Sequence, residues 1–483
     1  MNSLKVNFAL TAIRTTLTFL LPIITFPYIS RVLEPSGIGK VEFANSIVSY
    51  FVLFTALGVP TYGMREIARV RDNIKNLSKT VFELSFMLLI TTSIGYIIYF
   101  IIIRSFSYFY VQRNIFYIIA PTIFLSSFNF DWFYQGIENQ TYITIRFIVV
   151  KVLQIIAIFL LIKNTEHFLR YAAISVGLNG FSSFFNILYL RKYIKKSAFK
   201  ELDFSRHIKS VLIIFTSIIA VNIYMQLDIT MVGVFCSDTE VGLYTAANRI
   251  VRIAIAIVTM FCSVITPRLE NCLKNNNINS YNRYLNLSFR YILLFAIPFF
   301  LGINAIAGDI IALFAGEQYL PAVVTIKLLS PIIILVGLAS FVGLQLLYLN
   351  RKEYKYTIAV SVSAVLNTIV NAILIPLFAQ NGAAIGTIIA ESTGLFIQII
   401  FARKYFKAID FFSFNSLKFL ISGIVMYLAV RNVPYINENI FFHCVVCIVF
   451  GAIIYASSLI ILREKLSIEI VHLLQIRLFR NPE

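Results

Sequence analysis

The sequence predicts an all-α membrane protein of about fourteen spanning helices, arranged as two parallel six-helix lobes followed by two further helices. Three observations lead to this prediction: an apolar composition, a regular succession of apolar segments, and an internal repeat. Of the 483 residues, 59% are hydrophobic and 13% are charged, and the mean hydropathy is +0.82. Because a soluble domain carries about 25% charged residues, lipid is the solvent for most of this chain.

Apolar segments long enough to cross a bilayer, about 20 residues each, follow one another along the chain. The first lacks a small-residue cleavage site, so we expect a retained span rather than a signal peptide. The fourth and thirteenth are the weakest, because Pro121 lies in one and Lys418 and Arg431 lie in the other. The predicted spans are 8–29, 41–59, 80–103, 114–130, 144–162, 171–190, 211–235, 241–266, 284–308, 321–349, 357–378, 383–402, 417–433 and 440–462.

The basic residues predict the orientation of these spans. If the N-terminus is cytoplasmic, the inner segments hold about four times as many Lys and Arg residues as the outer loops. This bias predicts that both termini are cytoplasmic and agrees with an even number of spans. It also explains the formal net charge of +18 without a nucleic-acid partner, because the positive charge is spread over many loops.

Signals for catalysis or cofactor binding are missing from the sequence. All predicted loops are short, and there is no P-loop and no GxGxxG motif after a strand. Cys444 and Cys447 have CxxC spacing but lie in an apolar segment, so we expect them to pack rather than to exchange disulfides. The four histidines are scattered along the chain. We therefore expect no catalytic residue, no cofactor and no metal site.

An internal repeat sets the domain organisation. Residues 38–48 (IGKVEFANSIV) align with residues 241–251 (VGLYTAANRIV), an offset of 203 positions at which Gly, Ala, Asn, Ile and Val recur. Six predicted spans separate the copies, so both copies have the same orientation, as in transporters with parallel repeats. This predicts one lobe over 1–205, a second over 206–408, and two helices with a cytoplasmic tail over 409–483. Chance similarity between apolar, glycine-containing turns remains the alternative.

Four short stretches resemble a known family. They are FPYISRVLEPSGIG at 26–39, GVPTYGMREIAR at 58–69, DWFYQGIE at 131–138 and VGLYTAA at 241–247. Their order and spacing resemble the O-antigen (Wzx-type) flippases of the multidrug/oligosaccharidyl-lipid/polysaccharide exporter superfamily. The resemblance covers nearly the whole chain and implies a MATE-like fold and a transport activity. The functional residues of this family vary, so none is carried over.

Charged residues within the predicted spans are the candidate site residues, because a charge near a helix centre costs about 2.5–3.5 kcal/mol on insertion scales. Arg249 and Arg252 are three residues apart and share a helix face. Asp228 is predicted at the same depth as Arg249. Either the two simply neutralise each other, or the cations line a watery cavity and hold an anionic headgroup, for which the planar guanidinium suits phosphate. Arg14 and Lys151 are predicted to face the same cavity from the first lobe.

Other charges within the spans have different predicted roles. Glu391 lies between Gly386 and Gly394 and could bind a proton or cation for coupling, or make an interhelical hydrogen bond. Glu83 is predicted at the membrane interface. Cations outnumber carboxylates within the spans, which is the reverse of what a site for cationic drugs requires. The six cations are Arg14, Lys151, Arg249, Arg252, Arg290 and Lys327.

Together, these features predict a flippase in the bacterial inner membrane that moves polyprenyl-diphosphate-linked O-antigen or related oligosaccharide units from the cytoplasmic to the periplasmic leaflet. The expected partners are this lipid-linked oligosaccharide, membrane lipids, a coupling proton or sodium ion, and a polysaccharide polymerase or assembly complex. Two alternatives stay open at this point. One is a cation-coupled multidrug exporter, and the other is a membrane enzyme of polysaccharide assembly such as a polymerase.

Overall fold

The computed structural model describes residues 4–195, 202–408, 414–435 and 439–469, and every regular element within these ranges is helical. The chain divides into two compact units, Met1–Gly242 and Leu243–Glu483. The helices are α1 (Leu4–Ala56), α2 (Val59–Val70), α3 (Ile74–Ser105), α4 (Ser107–Val111), α5 (Arg113–Ile119), α6 (Pro121–Ser127), α7 (Asp131–Gly136), α8 (Gln140–Leu161), α9 (Phe168–Leu190), α10 (Ser205–Phe235), α11 (Asp238–Lys274), α12 (Ile278–Ala305), α13 (Ala307–Phe314), α14 (Ala322–Leu329), α15 (Ile332–Ser340), α16 (Glu353–Phe378), α17 (Gln380–Ala402), α18 (Phe414–Arg431) and α19 (Ile440–Ile461). Short 3-10 helices occupy Thr165–His167, Glu317–Tyr319 and Arg403–Ala408, and a π-helical stretch, Phe341–Tyr348, continues α15.

Eleven helices in the described ranges are long and apolar enough to cross a membrane. One of these, Ala9–Val70, includes two predicted spans, and α10 and α18 match two more that are not among the eleven. The count of fourteen stays a prediction. The helices nevertheless make the chain a multi-pass integral membrane protein, as its composition indicated.

The connection between the first two predicted spans is shorter than predicted. The segment labelled α1 consists of two helices that meet at a kink at Glu34, where φ is 59° and ψ is 172°. The bend has a local cause, because the ring of Pro35 disfavours the helical conformation of the residue before it. Pro121 has a related effect on the fourth predicted span, since it begins α6 and divides the segment into short helices.

The first unit has a buried core around the short helix α7. Trp132, Phe133 and Tyr134 are buried there with Val59 and Ile67 of α2. Gly63 of α2 lets the helix approach the indole of Trp132, because a Cβ at this position would lie 2.6 Å from its ring. This packing fixes one face of α2 and leaves the opposite face, which carries Tyr62, Arg65, Glu66 and Arg69, free to line a cavity.

The second unit contains a close helix pair formed by α16 and α17. Gly382, Gly386 and Gly394 of α17 lie against α16, and a Cβ at Gly386 would lie 2.0 Å from the side-chain oxygen of Asn371. Small residues allow such close approach between helices in a membrane.

Elsewhere in the second unit, the Tyr435 hydroxyl donates a hydrogen bond to Asp309. This bond raises the pKa of Tyr435 to about 12, so the hydroxyl stays protonated at neutral pH.

Candidate functional site

The two copies of the repeat meet in the structure. A Cβ at Gly39 would lie 1.6 Å from the carbonyl oxygen of Asp238, and a Cβ at Gly242 would lie 2.0 Å from that of Pro35. Gly39 and Gly242 are 203 positions apart, and so are Pro35 and Asp238. The glycine of each copy therefore lies against the residue at the corresponding aligned position of the other copy. The parallel repeat and the lobes over 1–205, 206–408 and 409–483 that it implies stay predictions.

The turn of the second copy is held by a capping box. Ser237 precedes α11, and its backbone N–H donates to the Glu240 carboxylate at 3.1 Å, while the Ser237 hydroxyl accepts from the Thr239 N–H at 3.3 Å. The motif S-x-x-E satisfies free N–H groups at the start of a helix. The connection between α10, which ends at Phe235, and α11, which begins at Asp238, is therefore only Cys236 and Ser237.

A groove with both polar and apolar walls, called the polar groove, lies in the first unit. It is bounded by α10, by the part of α1 that follows Glu34, and by the start of α2. Its cavity volume is about 330 Å³. Ser49, Tyr50, Thr61, Asn222 and Gln226 bring hydroxyl, phenol and amide groups to its walls. Within the described ranges, the side-chain amide of Gln226 has no hydrogen-bond partner, so it can bind a ligand. Polar groups within a spanning helix are costly unless they face protein or water, and this groove is therefore a candidate binding site.

One end of the groove is fixed by hydrogen bonds between helices. The Tyr50 hydroxyl is 3.0 Å from the Thr230 hydroxyl, which donates to the Ser46 hydroxyl, also at 3.0 Å. Asp228 is 7% exposed and lies close enough to Tyr50 to interact with it electrostatically. The predicted site residue Asp228 thus lies beside the groove.

The polar residues of the groove were not predicted, because only charged residues within the spans were taken as candidate site residues. A weaker signal was present. Asn222, Gln226 and Thr230 are four residues apart along α10 and therefore lie on one helix face. Three polar residues on one face of an otherwise apolar span would have identified this helix as a groove wall.

The predicted cations of the first lobe, Arg14 and Lys151, lie at similar heights along two parallel helices. The part of α1 before Glu34 runs parallel to α8. Thr144 donates a hydrogen bond to the Leu10 carbonyl at 3.4 Å, and Tyr28 donates one to the Ile162 carbonyl at 2.7 Å. Both pairs are 134 positions apart, so Lys151 lies about one helical turn beyond the level of Arg14. In the described ranges neither has an ion pair, and Lys151 donates to Gln154 of its own helix at 2.8 Å. A shared cavity for the two remains a prediction.

Of the predicted site residues of the second lobe, Arg249, Arg252 and Glu391 lie in the second unit, and Asp228 lies in the first. Arg249 and Arg252 occupy α11 and are half-buried, and Arg252 donates to the side chain of Asn248 at 3.3 Å. The pairing of Asp228 with Arg249 stays a prediction. Glu391 of α17 is half-buried and interacts electrostatically with Tyr356 of α16.

Glu83, predicted near the membrane interface, is fully buried in the first unit. It forms a salt bridge with Arg206 and lies 2.9 Å from Nε2 of His207, which is also fully buried. Nδ1 of His207 is hydrogen-bonded to Tyr62 at 2.8 Å. The backbone N–H of Asp203 donates to the second carboxylate oxygen of Glu83 at 2.6 Å. This network joins α2 and α3 to the first turn of α10, a connection that no local sequence pattern reveals.

The fold and the groove together define a class: polytopic helical membrane proteins with polar groups aligned between their spanning helices. The sequence profile described as "Polysaccharide biosynthesis protein" matches residues 4–272, more than half of the chain. The chain therefore belongs to this family of polysaccharide biosynthesis proteins.

Relatives in two organisms extend this result. The chain is 22% identical over 409 residues to the putative O-antigen transporter of Escherichia coli (strain K12), a match that covers 83% of this chain and 97% of that protein. It is 27% identical over 201 residues to the probable low-salt glycan biosynthesis flippase Agl15 of Haloferax volcanii, which covers 42% of this chain and 40% of that protein. The predicted resemblance to polysaccharide flippases is confirmed.

Two solved structures share the fold. The lipid II flippase MurJ, in an inward closed conformation, superposes with a TM-score of 0.73 at 17% identity and covers 94% of this chain and 98% of its own. An inward-facing multidrug resistance MATE family transporter of the MOP superfamily superposes with a TM-score of 0.63 at 14% identity and covers 81% of this chain and 94% of its own. The predicted fold class, an all-α polytopic membrane protein of MATE-like type, is confirmed.

Proposed function

We propose that this chain is a flippase that moves lipid-linked oligosaccharide units, such as O-antigen units on a polyprenyl diphosphate, across the membrane. The observation that carries the proposal is the polar groove along α10 in a chain of the polysaccharide biosynthesis family. The named functions of its relatives, an O-antigen transporter and a glycan flippase, support transport rather than catalysis. The direction is from the cytoplasmic to the periplasmic leaflet of the bacterial inner membrane, with both chain termini cytoplasmic.

The groove has the chemistry that a sugar requires. Sugar hydroxyls both donate and accept hydrogen bonds, and the amides of Asn222 and Gln226 can do the same. The phenol of Tyr50 adds an aromatic face and a hydroxyl. A sugar in the groove would exchange hydrogen bonds with water for hydrogen bonds with these groups, while the prenyl chain stays in the surrounding lipid.

A leaflet-exchange experiment tests the proposed function. The purified chain is reconstituted into vesicles with a fluorescent lipid-linked oligosaccharide, and the fraction exposed to an added membrane-impermeant quencher is followed with and without a proton or sodium gradient. We expect exposure to increase only in vesicles that contain the protein. If no gradient produces protein-dependent exchange, the proposal is rejected.

Replacing Asn222 or Gln226 with leucine is expected to lower the exchange rate about tenfold, because each loses a hydrogen bond to the sugar and leaves a sugar hydroxyl without a partner. The matched control is Met225→Leu, which preserves an apolar side chain on the same groove wall. The rate in vesicles is the measurement. Equal rates for all three variants would exclude the groove as the sugar site.

Arg249, Arg252, Arg14 and Lys151 are proposed to hold the diphosphate, and Asp228 and Glu391 to pair with them or bind the coupling ion. Arg249→Ala and Arg252→Ala, made singly at normal membrane levels, should each reduce surface glycan in a cell that depends on this chain. The reason is that a bidentate guanidinium–phosphate contact is lost. Unchanged surface glycan in both variants, measured by glycan staining, would remove these two arginines from the site.

The chain has no nucleotide-binding motif, so the energy for transport is proposed to come from an ion gradient or from removal of the product. A polysaccharide polymerase is the proposed consumer of that product. A cation-coupled drug exporter is the second candidate, favoured by the fold shared with a multidrug resistance transporter. It predicts that Asp228→Asn and Glu391→Gln abolish drug resistance while Arg249→Ala preserves it.

A further inference from the structure

A second cavity lies at the end of the groove where the basic segment Arg65–Lys79 begins, which is the predicted cytoplasmic end. Its volume is about 240 Å³. Tyr62, Arg65, Glu66 and Arg69 of α2 form one wall, four residues at the spacing of a single helix face. Ser210, Ile213 and Ile214 of α10 form the other wall. We call this cavity the mouth.

Most basic residues near the mouth already have acidic partners. Arg71 lies 2.6 Å from the Glu138 carboxylate, and Arg206 is bound by Glu83. Arg69 is 3.3 Å from Glu66. Arg65 is exposed and has no ion pair or hydrogen bond in the part of the chain that the structure describes. The mouth therefore contains one guanidinium whose donors are all available to a ligand.

The other groups of the mouth favour a phosphate that carries a hydrocarbon chain. Two guanidinium groups against one carboxylate leave a net positive charge, and the planar fork of Arg65 matches two phosphate oxygens. The hydroxyl of Ser210 has no hydrogen-bond partner in the described ranges and can donate to a third oxygen. Ile213 is 58% exposed, which gives the ligand an apolar surface that inorganic phosphate does not need.

The mouth and the groove share α10 as a wall. Ser210 and Ile214 line the mouth, and Ile218, Asn222 and Gln226 line the groove. These residues extend over about 24 Å of the helix, and the row winds around it because each step of four residues advances about 40°. A headgroup at the mouth would place the sugar attached to it at the entrance to the polar groove.

The wall that carries Arg65 is rigid. On its buried face, α2 packs through Gly63 against Trp132, and on the mouth side Tyr62 is hydrogen-bonded to the buried His207. A fixed wall keeps the guanidinium in position before a ligand arrives, which reduces the entropy cost of binding.

We propose that the mouth is a binding site for the phosphate headgroup of a prenyl-phosphate lipid, with Arg65 as its principal contact. The lipid assignment rests on the proposed flippase function, whereas the phosphate site itself rests on the cavity and its charges. The site is formed by α2 and α10 and includes none of the cations Arg14, Lys151, Arg249 and Arg252 that are proposed to hold the diphosphate.

Binding to the full chain in nanodiscs of zwitterionic lipid tests this proposal. The probes are farnesyl diphosphate, inorganic pyrophosphate and farnesol. Fluorescence of Trp132 reports binding, because this is the only tryptophan of the chain and its ring packs against α2. Calorimetry provides an independent reading. We expect farnesyl diphosphate to bind at least tenfold more tightly than pyrophosphate, and farnesol not to bind.

Arg65→Gln is expected to weaken binding of farnesyl diphosphate about tenfold or more, because charge-assisted bonds are lost. Arg65→Lys keeps the charge but not the planar fork of the guanidinium. Its affinity for farnesyl diphosphate should lie between those of Arg65→Gln and the native chain. The matched control is Lys209→Gln, which removes the same charge from an exposed position next to Ser210 but outside the mouth. Its effect should be less than about twofold, since screened charges outside a site contribute little.

Two results would overturn the proposal. Equal weakening by Arg65→Gln and Lys209→Gln would mean that general charge, not the mouth, attracts the diphosphate. Equal affinity for pyrophosphate and farnesyl diphosphate would remove the lipid assignment and indicate a free phosphate ligand. The assay requires no transport, so a chain that binds through Arg65 but moves no lipid-linked sugar would keep this site and lose the proposed function.

Discussion

Gly242→Ala is expected to abolish export of the surface glycan, and Gly39→Ala is expected to do the same. A methyl group at Gly242 would lie 2.0 Å from the Pro35 carbonyl oxygen, and one at Gly39 would lie 1.6 Å from that of Asp238. Both obstacles are backbone atoms, so the segment around Gly39 and the segment around Gly242 must move apart. Overpacking typically costs about 1–3 kcal/mol, and a contact with backbone should lie at or above the upper end of that range. Surface glycan in a dependent cell and the thermal unfolding midpoint of the purified protein are the measurements.

The matched control for these variants is Gly177→Ala in α9. A Cβ at Gly177 meets no atom within 4 Å, so this substitution should leave export unchanged. Alanine is also a better helix former than glycine by about 1 kcal/mol, so the control should if anything unfold at a higher temperature. Normal export by both Gly39→Ala and Gly242→Ala would mean that the contact between the repeat copies has no role.

Glu83→Gln is expected to produce the second large effect, a loss of folding stability. The substitution removes the charge that neutralises Arg206 and that His207 faces in a fully buried position. Breaking a buried ion pair from one side costs about 3–5 kcal/mol. Because the side chain of Arg206 is 39% exposed and can be hydrated in part, we expect about 2–3 kcal/mol here. The unfolding midpoint in detergent, followed by fluorescence of Trp132, should fall by several degrees.

Glu66→Gln is the matched control for Glu83→Gln, with the same chemical change on the neighbouring helix. Its partner Arg69 has a side chain that is 69% exposed, and exposed ion pairs contribute about 0–1 kcal/mol. A midpoint for Glu83→Gln equal to that of Glu66→Gln would show that the buried network does not hold α2, α3 and α10 together.

Local sequence patterns predicted most of the architecture but only part of the candidate site. The length and hydrophobicity of a spanning helix are properties of one segment, so α8 and α9 were predicted within a few residues of their observed limits. The break between the first two spans was predicted too long, because polar residues after Pro35 are typical of a loop in an isolated segment. In the structure the second helix begins directly after the kink at Glu34, and the backbone of Pro35 lies against Gly242.

The sequence alone determined that this is an all-α membrane protein, since composition and span lengths are readable along the chain, and the resemblance of four stretches to polysaccharide flippases indicated its family. Asp228, a candidate from the sequence, lies beside the groove, and its role as an ion-pair or coupling residue stays a prediction. Only the tertiary structure decided that Gly39 and Gly242 meet reciprocally, that Glu83 is buried beside His207, and that Tyr50 and Gln226 share one groove. Residues more than 100 positions apart form each of these arrangements. Their energies depend on distance and burial in space, which helix periodicity does not specify.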